Sequence, residues 1–231
     1  MKLHAVSDGP PSLACRMVLK ALNIPFDLVP VNFNTGEHLT DEYFKLNPQK
    51  EIPVLDDNGF LLSESIAIMQ YLCDQYAPEN PIYPKEPKQR ALVNHRMCFN
   101  MAFYYNYISQ YTMAPIFFDY PRSDMGKKKV ELALNVFETY LKATNTKYAT
   151  GDCITIADIA LVAGTLPLEA IGYKFEHYPL VTKWYSTFKS ENPGLWEIAQ
   201  AGVDEIAGFE QNPASLDLSK LNHPFHPIKK N

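Results

Sequence analysis

A change of pattern at residues 77–87 constrains this chain more than any other feature of its sequence. The stretch carries Pro78, Pro81, Pro84 and Pro87 and has no helical period. It reads as a linker that ends in a helix start, where proline is tolerated because the first N–H groups of a helix have no partner. Before it, short β-type runs alternate with helical ones. After it, no convincing strand pattern occurs. Such a chain divides into two parts of different structural class.

In the first part, residues 2–6 predict a strand. Residues 12–22 predict a helix, with Leu13, Met17, Val18, Ala21 and Leu22 at helical spacing and a stop at Asn23 and Pro25. A strand over 26–31 and a short helix over 41–46, capped by Thr40, follow. Strands over 54–56 and 60–62 flank Asp57-Asn58-Gly59, a hairpin signal, and 65–76 is again helical. The order β-α-β-α-β-β-α predicts one thioredoxin-like sheet, half parallel and half antiparallel. Helices are expected over 88–111, 124–141, 155–170, 180–191 and 195–209. Thr155-Ile156-Ala157-Asp158 reads as a capping box with a structural role. The expected fold class is therefore α/β plus all-α. Residues 1–76 form a thioredoxin-like domain, 77–87 a linker, 88–211 an all-helical domain and 212–231 an irregular tail.

Composition removes several classes of function. Apolar residues make up 46% and charged residues 20% of 231 positions, the balance of a globular protein with a real core. A net charge of −5 argues against nucleic acid, which needs a basic surface. Lys127-Lys128-Lys129 and Lys229-Lys230 read as solvated clusters. Met1 to Val6 runs directly into Ser7, Asp8, Gly9 and two prolines, so no apolar leader is expected. The longest apolar stretch, 159–168, is too short to span a bilayer. Four cysteines, at 15, 73, 98 and 153, show no metal-ligand spacing, and a reduced, cytoplasmic protein without metal is expected.

Three short motifs carry the chemistry. Ser12 falls where a strand gives way to a helix, and unpaired N–H groups there favour an anion. It is either a plain helix cap or a donor to a bound thiolate. Donation to a charged group contributes about 1.5–3 kcal/mol. That would lower a thiol pKa by about one to two pH units from about 8.5, enough to ionise it near neutrality. Ile52-Pro53 is either an ordinary strand start or a cis bond beside which an extended peptide could pair. Glu64-Ser65 opens the next helix, where Ser65 could hold a carboxylate and Glu64 an amine. Lys50 and His38 lie in loops on the same expected edge and could take a second carboxylate.

Together these features resemble a glutathione transferase of the insect delta or epsilon type, or a close unclassified relative. The resemblance runs to about Phe209. It rests on Ser12-Leu13-Ala14-Cys15-Arg16, Gly36-Glu37-His38-Leu39, the run from Asn47 to Leu55, Asp57-Asn58-Gly59-Phe60 and Ser63-Glu64-Ser65. Leu72, Tyr83-Pro84-Lys85, Gly151-Asp152 and the Thr155 capping box complete it. It implies a homodimer that uses glutathione as co-substrate, needs no other cofactor and attacks small apolar electrophiles. It further implies that Ser12 stabilises the thiolate and that Ile52, with Pro53, pairs with the cysteinyl backbone. Glu64 and Ser65 would hold the γ-glutamyl end, and Lys50 with His38 the glycine carboxylate. Histidine is usual in that family where Lys50 stands, and arginine is frequent where Ile66 stands. The first exchange keeps a cation but changes its shape, and the second removes a charged donor.

Between Phe99 and Tyr120 the chain is crowded with aromatic residues on more than one helical side. Most such stripes are core. By the same resemblance Tyr105, Ile108, Tyr111, Met113 and Phe117 would line an acceptor pocket, with Phe33 and Phe209 from elsewhere in the chain. The competing reading is a carrier of steroid-like or lipid-derived molecules with little or no catalysis. A thiol oxidoreductase would want cysteine in place of Ser12, and a zeta-type isomerase a Ser-Ser-Cys signature that is absent.

Overall fold

The structure, a computed structural model, describes residues 1–118 and 120–212. Strands β1 (Lys2–Ala5), β2 (Asp27–Pro30), β3 (Val54–Asp57) and β4 (Phe60–Leu62) form one sheet in the order β2-β1-β3-β4. β1 runs parallel to β2, with Leu3 opposite Leu28, and antiparallel to β3, with Leu3 opposite Leu55. β3 and β4 form the expected hairpin. Asn58 and Gly59 both take positive φ, 55° and 96°, as a two-residue turn matched to strand twist requires.

Helix α1 (Pro10–Ala21) connects β1 to β2. A 3-10 turn at Glu37–Leu39, helix α2 (Asp41–Leu46) and helix α3 (Ser65–Tyr76) complete the first part. α1 begins two residues earlier than its apolar period suggests. Pro10 and Pro11 occupy its first positions, where their preset φ suits a helix and their missing N–H costs nothing.

Among the described residues the second part is helical throughout its regular structure: α4 (Pro87–Phe99), a π-helical turn at Asn100–Tyr104, α5 (Tyr105–Phe118), α6 (Asp124–Thr144), α7 (Ile156–Ala170), α8 (Pro179–Glu191) and α9 (Pro193–Gln211). α4, the π turn and α5 make one rod that outruns the expected end at 111. Helix α7 is buried from Ile156 through Leu168, and α1, α4, α5 and α9 pack around it. Its polar groups are paired. The Thr155 capping box is formed, and Asp158 Oδ1 also accepts from the Ala149 N–H (2.8 Å) and Trp184 Nε1 (2.9 Å). Burial still raises the Asp158 pKa against these donors.

One apolar core joins both parts. Leu3, Leu13 and Met17 belong to the same cluster as Phe137, Ile159 and Phe188. Cys15 and Cys73 are buried, Cys98 and Cys153 exposed, and none is in a disulfide. Among the described residues no helix is long and apolar enough to cross a membrane. Nor, among them, do three or more His, Cys, Asp or Glu side chains gather as for a metal ion. All but the first residue of the expected tail lies outside the described residues.

Candidate active site

Two cavities adjoin where the parts meet. The larger, about 630 Å³, runs from the loop after β1 to α5 and α9. Asn32, Phe33, His38 and Lys50 wall one side and Tyr105, Met113, Phe117, Phe118 and Phe209 the other. The smaller, about 370 Å³, lies between the start of α3 and the π turn, lined by Gln49, Pro53, Glu64, Ser65, Ile66, Asn100 and Met101 among others. Pro10, Pro11, Glu51, Ile52 and Tyr105 line both.

Local backbone explains the polar ends. Ser65 is the first residue of α3, whose opening turn presents unpaired N–H groups. Glu64 before it holds φ 67° and ψ 105°, a conformation costly for a residue with a side chain and of a kind that collects at ligand sites. Gln49 Nε2 donates to Glu64 Oε1 at 2.9 Å, so this carboxylate is oriented in advance. Lys50 also has positive φ, 58°, and its Nζ donates to the Leu39 carbonyl at 2.6 Å. His38 is buried and stacks on Phe33 with ring centroids 4.7 Å apart. The Ile52–Pro53 bond is cis. His38, Lys50, Ile52, Pro53, Glu64 and Ser65 thus all line one or both cavities.

Ser12 does not. It is fully buried at the third position of α1, lines neither cavity, and its Oγ has no hydrogen-bond partner among the described residues. Its Oγ nevertheless lies close to the cavity wall: a Cβ at Gly9, which lines the larger cavity, would stand 3.6 Å from it. The residue at the helix cap is Gly9. A Cβ at Gly9 would stand 2.6 Å from Val6 Cγ2, so a side chain is not accommodated there unless Val6 moves.

The acceptor set divides by place. Phe33, Tyr105, Met113, Phe117 and Phe209 line the larger cavity, whereas Ile108 and Tyr111 line neither. At about 100° per residue, Tyr105, Met113 and Phe117 fall within one third of the helix circumference and Ile108 and Tyr111 on the remainder. Ile108 is buried in the main core, and Tyr111 packs against it and carries the Arg122 guanidinium 5.5 Å from its ring. Phe117 meets Phe33 and Phe209 edge-on at 5.8 and 5.3 Å, which builds an aromatic wall from three distant segments.

Several groups escaped the sequence reading. Asp8, only 8% exposed, lines the larger cavity, and burial together with the nearby Glu205 raises its pKa to about 6. Ser7 Oγ donates to Glu205 Oε1 at 2.8 Å, tying the β1 loop to α9. Asn100, in the π turn, keeps a buried Oδ1 without a partner among the described residues. π turns of this kind recur at functional sites, but a sequence gives no direct sign of one. Gln49 and Glu51 stand in the run from Asn47 to Leu55, which was a usable signal.

Family models agree with this architecture. The glutathione S-transferase N-terminal domain matches residues 1–74 and the C-terminal domain residues 99–192. Among solved structures, a diazinon-metabolizing glutathione S-transferase of the silkworm Bombyx mori is 54% identical, with TM-score 0.85, over 89% of this chain and 98% of that one. A delta-class enzyme of Nilaparvata lugens is 35% identical, with TM-score 0.86, over 92% and 99%. An epsilon-class enzyme of the housefly Musca domestica is 32% identical, with TM-score 0.84, over 92% and 97%.

Proposed function

The chain belongs to the glutathione S-transferase family, and we propose that its two cavities divide glutathione conjugation between a polar peptide site and an aromatic acceptor site. The protein is a glutathione transferase of the detoxifying kind. The observation that carries the division of labour is the shared wall: Ile52 and Tyr105 border both a polar cavity ending at Glu64 and Ser65 and a larger aromatic one.

In this reading the γ-glutamyl carboxylate binds the Ser65 hydroxyl and the opening turn of α3, and the amine pairs with Glu64. The cysteinyl segment crosses at Ile52 and Pro53, and the glycine carboxylate lies by Lys50 and His38. The sulfur then meets the electrophile in the space faced by Phe33, Met113, Phe117 and Phe209. Removing water from a thiolate and an apolar acceptor held together converts a bimolecular encounter into an oriented one. Ile108 and Tyr111 are left out of this site. A homodimer in the cytoplasm, with domains divided at residues 77–87, belongs to the same proposal.

A pure carrier has no use for the Glu64, Ser65 and Lys50 ends of the site, so the carrier reading is disfavoured. The test is conjugation of an aryl halide, and of diazinon, which the silkworm relative metabolises. A steroid is then titrated as inhibitor. Conjugation inhibited competitively with respect to the electrophile supports the proposal. Steroid binding without conjugation at any glutathione concentration overturns it in favour of the carrier.

A further inference from the structure

We infer that the larger cavity takes acceptors that carry a positive charge, such as an aryl electrophile with a quaternary ammonium group, held at Asp8 and Glu205. The inference deepens the proposed function and rests on it, naming a substrate class for the acceptor site. The cavity has two unlike linings. Phe33, Tyr105, Phe117 and Phe209 give it aromatic walls, and Asp8, in the loop after β1, and Glu205, on α9, add two carboxylates to the same enclosure. Glu205 and Phe209 are four residues apart on α9, so an acid and a ring stand side by side. A site for neutral apolar compounds alone gains nothing from a buried carboxylate, whose desolvation is costly. Rings and carboxylates together recognise an organic cation, because the ring faces are negative and the acid supplies the counter-charge.

Neither acid is matched by a cation of the chain. Asp8 is 8% exposed, and among the described residues its carboxylate meets its own backbone N–H and the like charge of Glu205. Its pKa of about 6 leaves it ionised at neutral pH and above. Glu205 accepts one neutral hydrogen bond, from Ser7 Oγ at 2.8 Å. Arg16 feels the Glu205 charge, but its Nη1 donates to the Ser7 carbonyl at 3.2 Å, and Arg16 does not line the cavity.

Lys50 and His38 are the basic side chains on the cavity wall, and Glu51, on the wall shared with the smaller cavity, adds a third acid. Once the peptide is seated as proposed, its glycine carboxylate takes up Lys50 and His38, and its amine takes up Glu64. Asp8 and Glu205 then remain at the acceptor end without a counter-ion, which a cationic acceptor supplies. In an enclosure poor in water this attraction is several times stronger than in bulk solvent. A cavity of about 630 Å³ has room for an aryl ring and a charged arm together.

The experiment compares two nitroaryl chlorides that differ only at the end of an amide-linked arm. One ends in trimethylammonium and the other in the isosteric, neutral tert-butyl group. The arm separates the charge from the ring, and the uncatalysed rates with glutathione correct for any remaining difference in reactivity. The wild type is expected to favour the cation in kcat/KM by about 10-fold, the value of a partly desolvated cation at an aromatic and acidic wall. Asp8→Asn should reduce that preference to about twofold, and Glu205→Gln, which keeps an acceptor for Ser7, should reduce it too and serves if the first variant does not fold. A general loss of activity lowers both substrates alike and leaves the ratio in place, so the ratio separates recognition from folding. Equal kcat/KM for the two compounds in the wild type, or a preference unaltered by either substitution, overturns the inference. Failure to conjugate either compound overturns the proposed function itself, a result distinct from any ratio.

Discussion

Gly164 of α7 lies directly against Tyr105: a Cβ at position 164 would stand 3.2 Å from Tyr105 Cβ and 2.6 Å from Asn100 Oδ1. The helix can approach the π turn and the first turn of α5 this closely because residue 164 has no side chain. The same contact sets where the Tyr105 ring enters the junction of the two cavities. Gly164→Ala should therefore displace Asn100 and Tyr105 together. Overpacking of this kind costs about 1–3 kcal/mol, and turnover should fall more than thermal stability alone explains. Kinetics at a temperature well below the unfolding midpoint would separate the two effects, and wild-type turnover there would contradict the expected displacement.

Ser12→Ala should raise the pKa of the bound glutathione thiol by about one to two pH units and depress turnover at neutral pH while leaving the fold intact. A buried hydroxyl without a partner costs about 1–3 kcal/mol, so its removal is expected to leave stability unchanged or raise it by about 1 kcal/mol. Denaturant unfolding and the pH–rate profile measured on one preparation check both statements. An unchanged pH–rate profile would remove the serine from the chemistry.

Lys50 should act on affinity and not on chemistry, because it lines the far side of the larger cavity and would meet a carboxylate remote from sulfur. Lys50→Ala is expected to raise the Michaelis constant for glutathione by about 10- to 100-fold, the value of one hydrogen bond between charged groups. Maximal rate should change by no more than about twofold. Saturation curves in glutathione at fixed electrophile decide the matter, and unaltered affinity with a large fall in rate would contradict it.

Asp8 predicts a pH dependence of stability. Its pKa rises from 3.8 to about 6 on folding, so the folded state holds this proton more tightly than the unfolded one. Below pH 3.8 both states are protonated and the group is neutral in effect. Stability then falls as pH rises through the interval to about 6, and the whole penalty, about 3 kcal/mol at most, is present above it. Asp8→Asn should accordingly be more stable than the wild type at pH 8 and match it near pH 4. Equal unfolding free energies at both pH values would show that the carboxyl is better solvated than its 8% exposure indicates.

What could be read along the chain was what depends on near neighbours. The Asn58-Gly59 turn, the Thr155 capping box and the loss of strand pattern after Tyr76 are local events, set by backbone propensity and by donors a few residues away. The polar ends of the site, at Lys50 and Glu64-Ser65, were legible for the same reason, since each lies at a turn or a helix start. The burial of Ser12 was not. A serine near a helix start reads alike as a cap and as a ligand donor, and its burial is set by what packs against α1. Pro10 and Pro11 move the start forward, Gly9 becomes the cap, and Ser12 falls fully buried at the third position of the helix. Nor could the junction be foreseen. It gathers Pro10, Ile52 and Tyr105 from three separate segments, and a glycine on a fourth lets the tyrosine sit there. A sequence determines its turns, caps and apolar faces because these are short-range choices. Which side chains share a cavity is decided by packing between distant elements, where a fraction of an ångström at Gly164 outweighs any local preference.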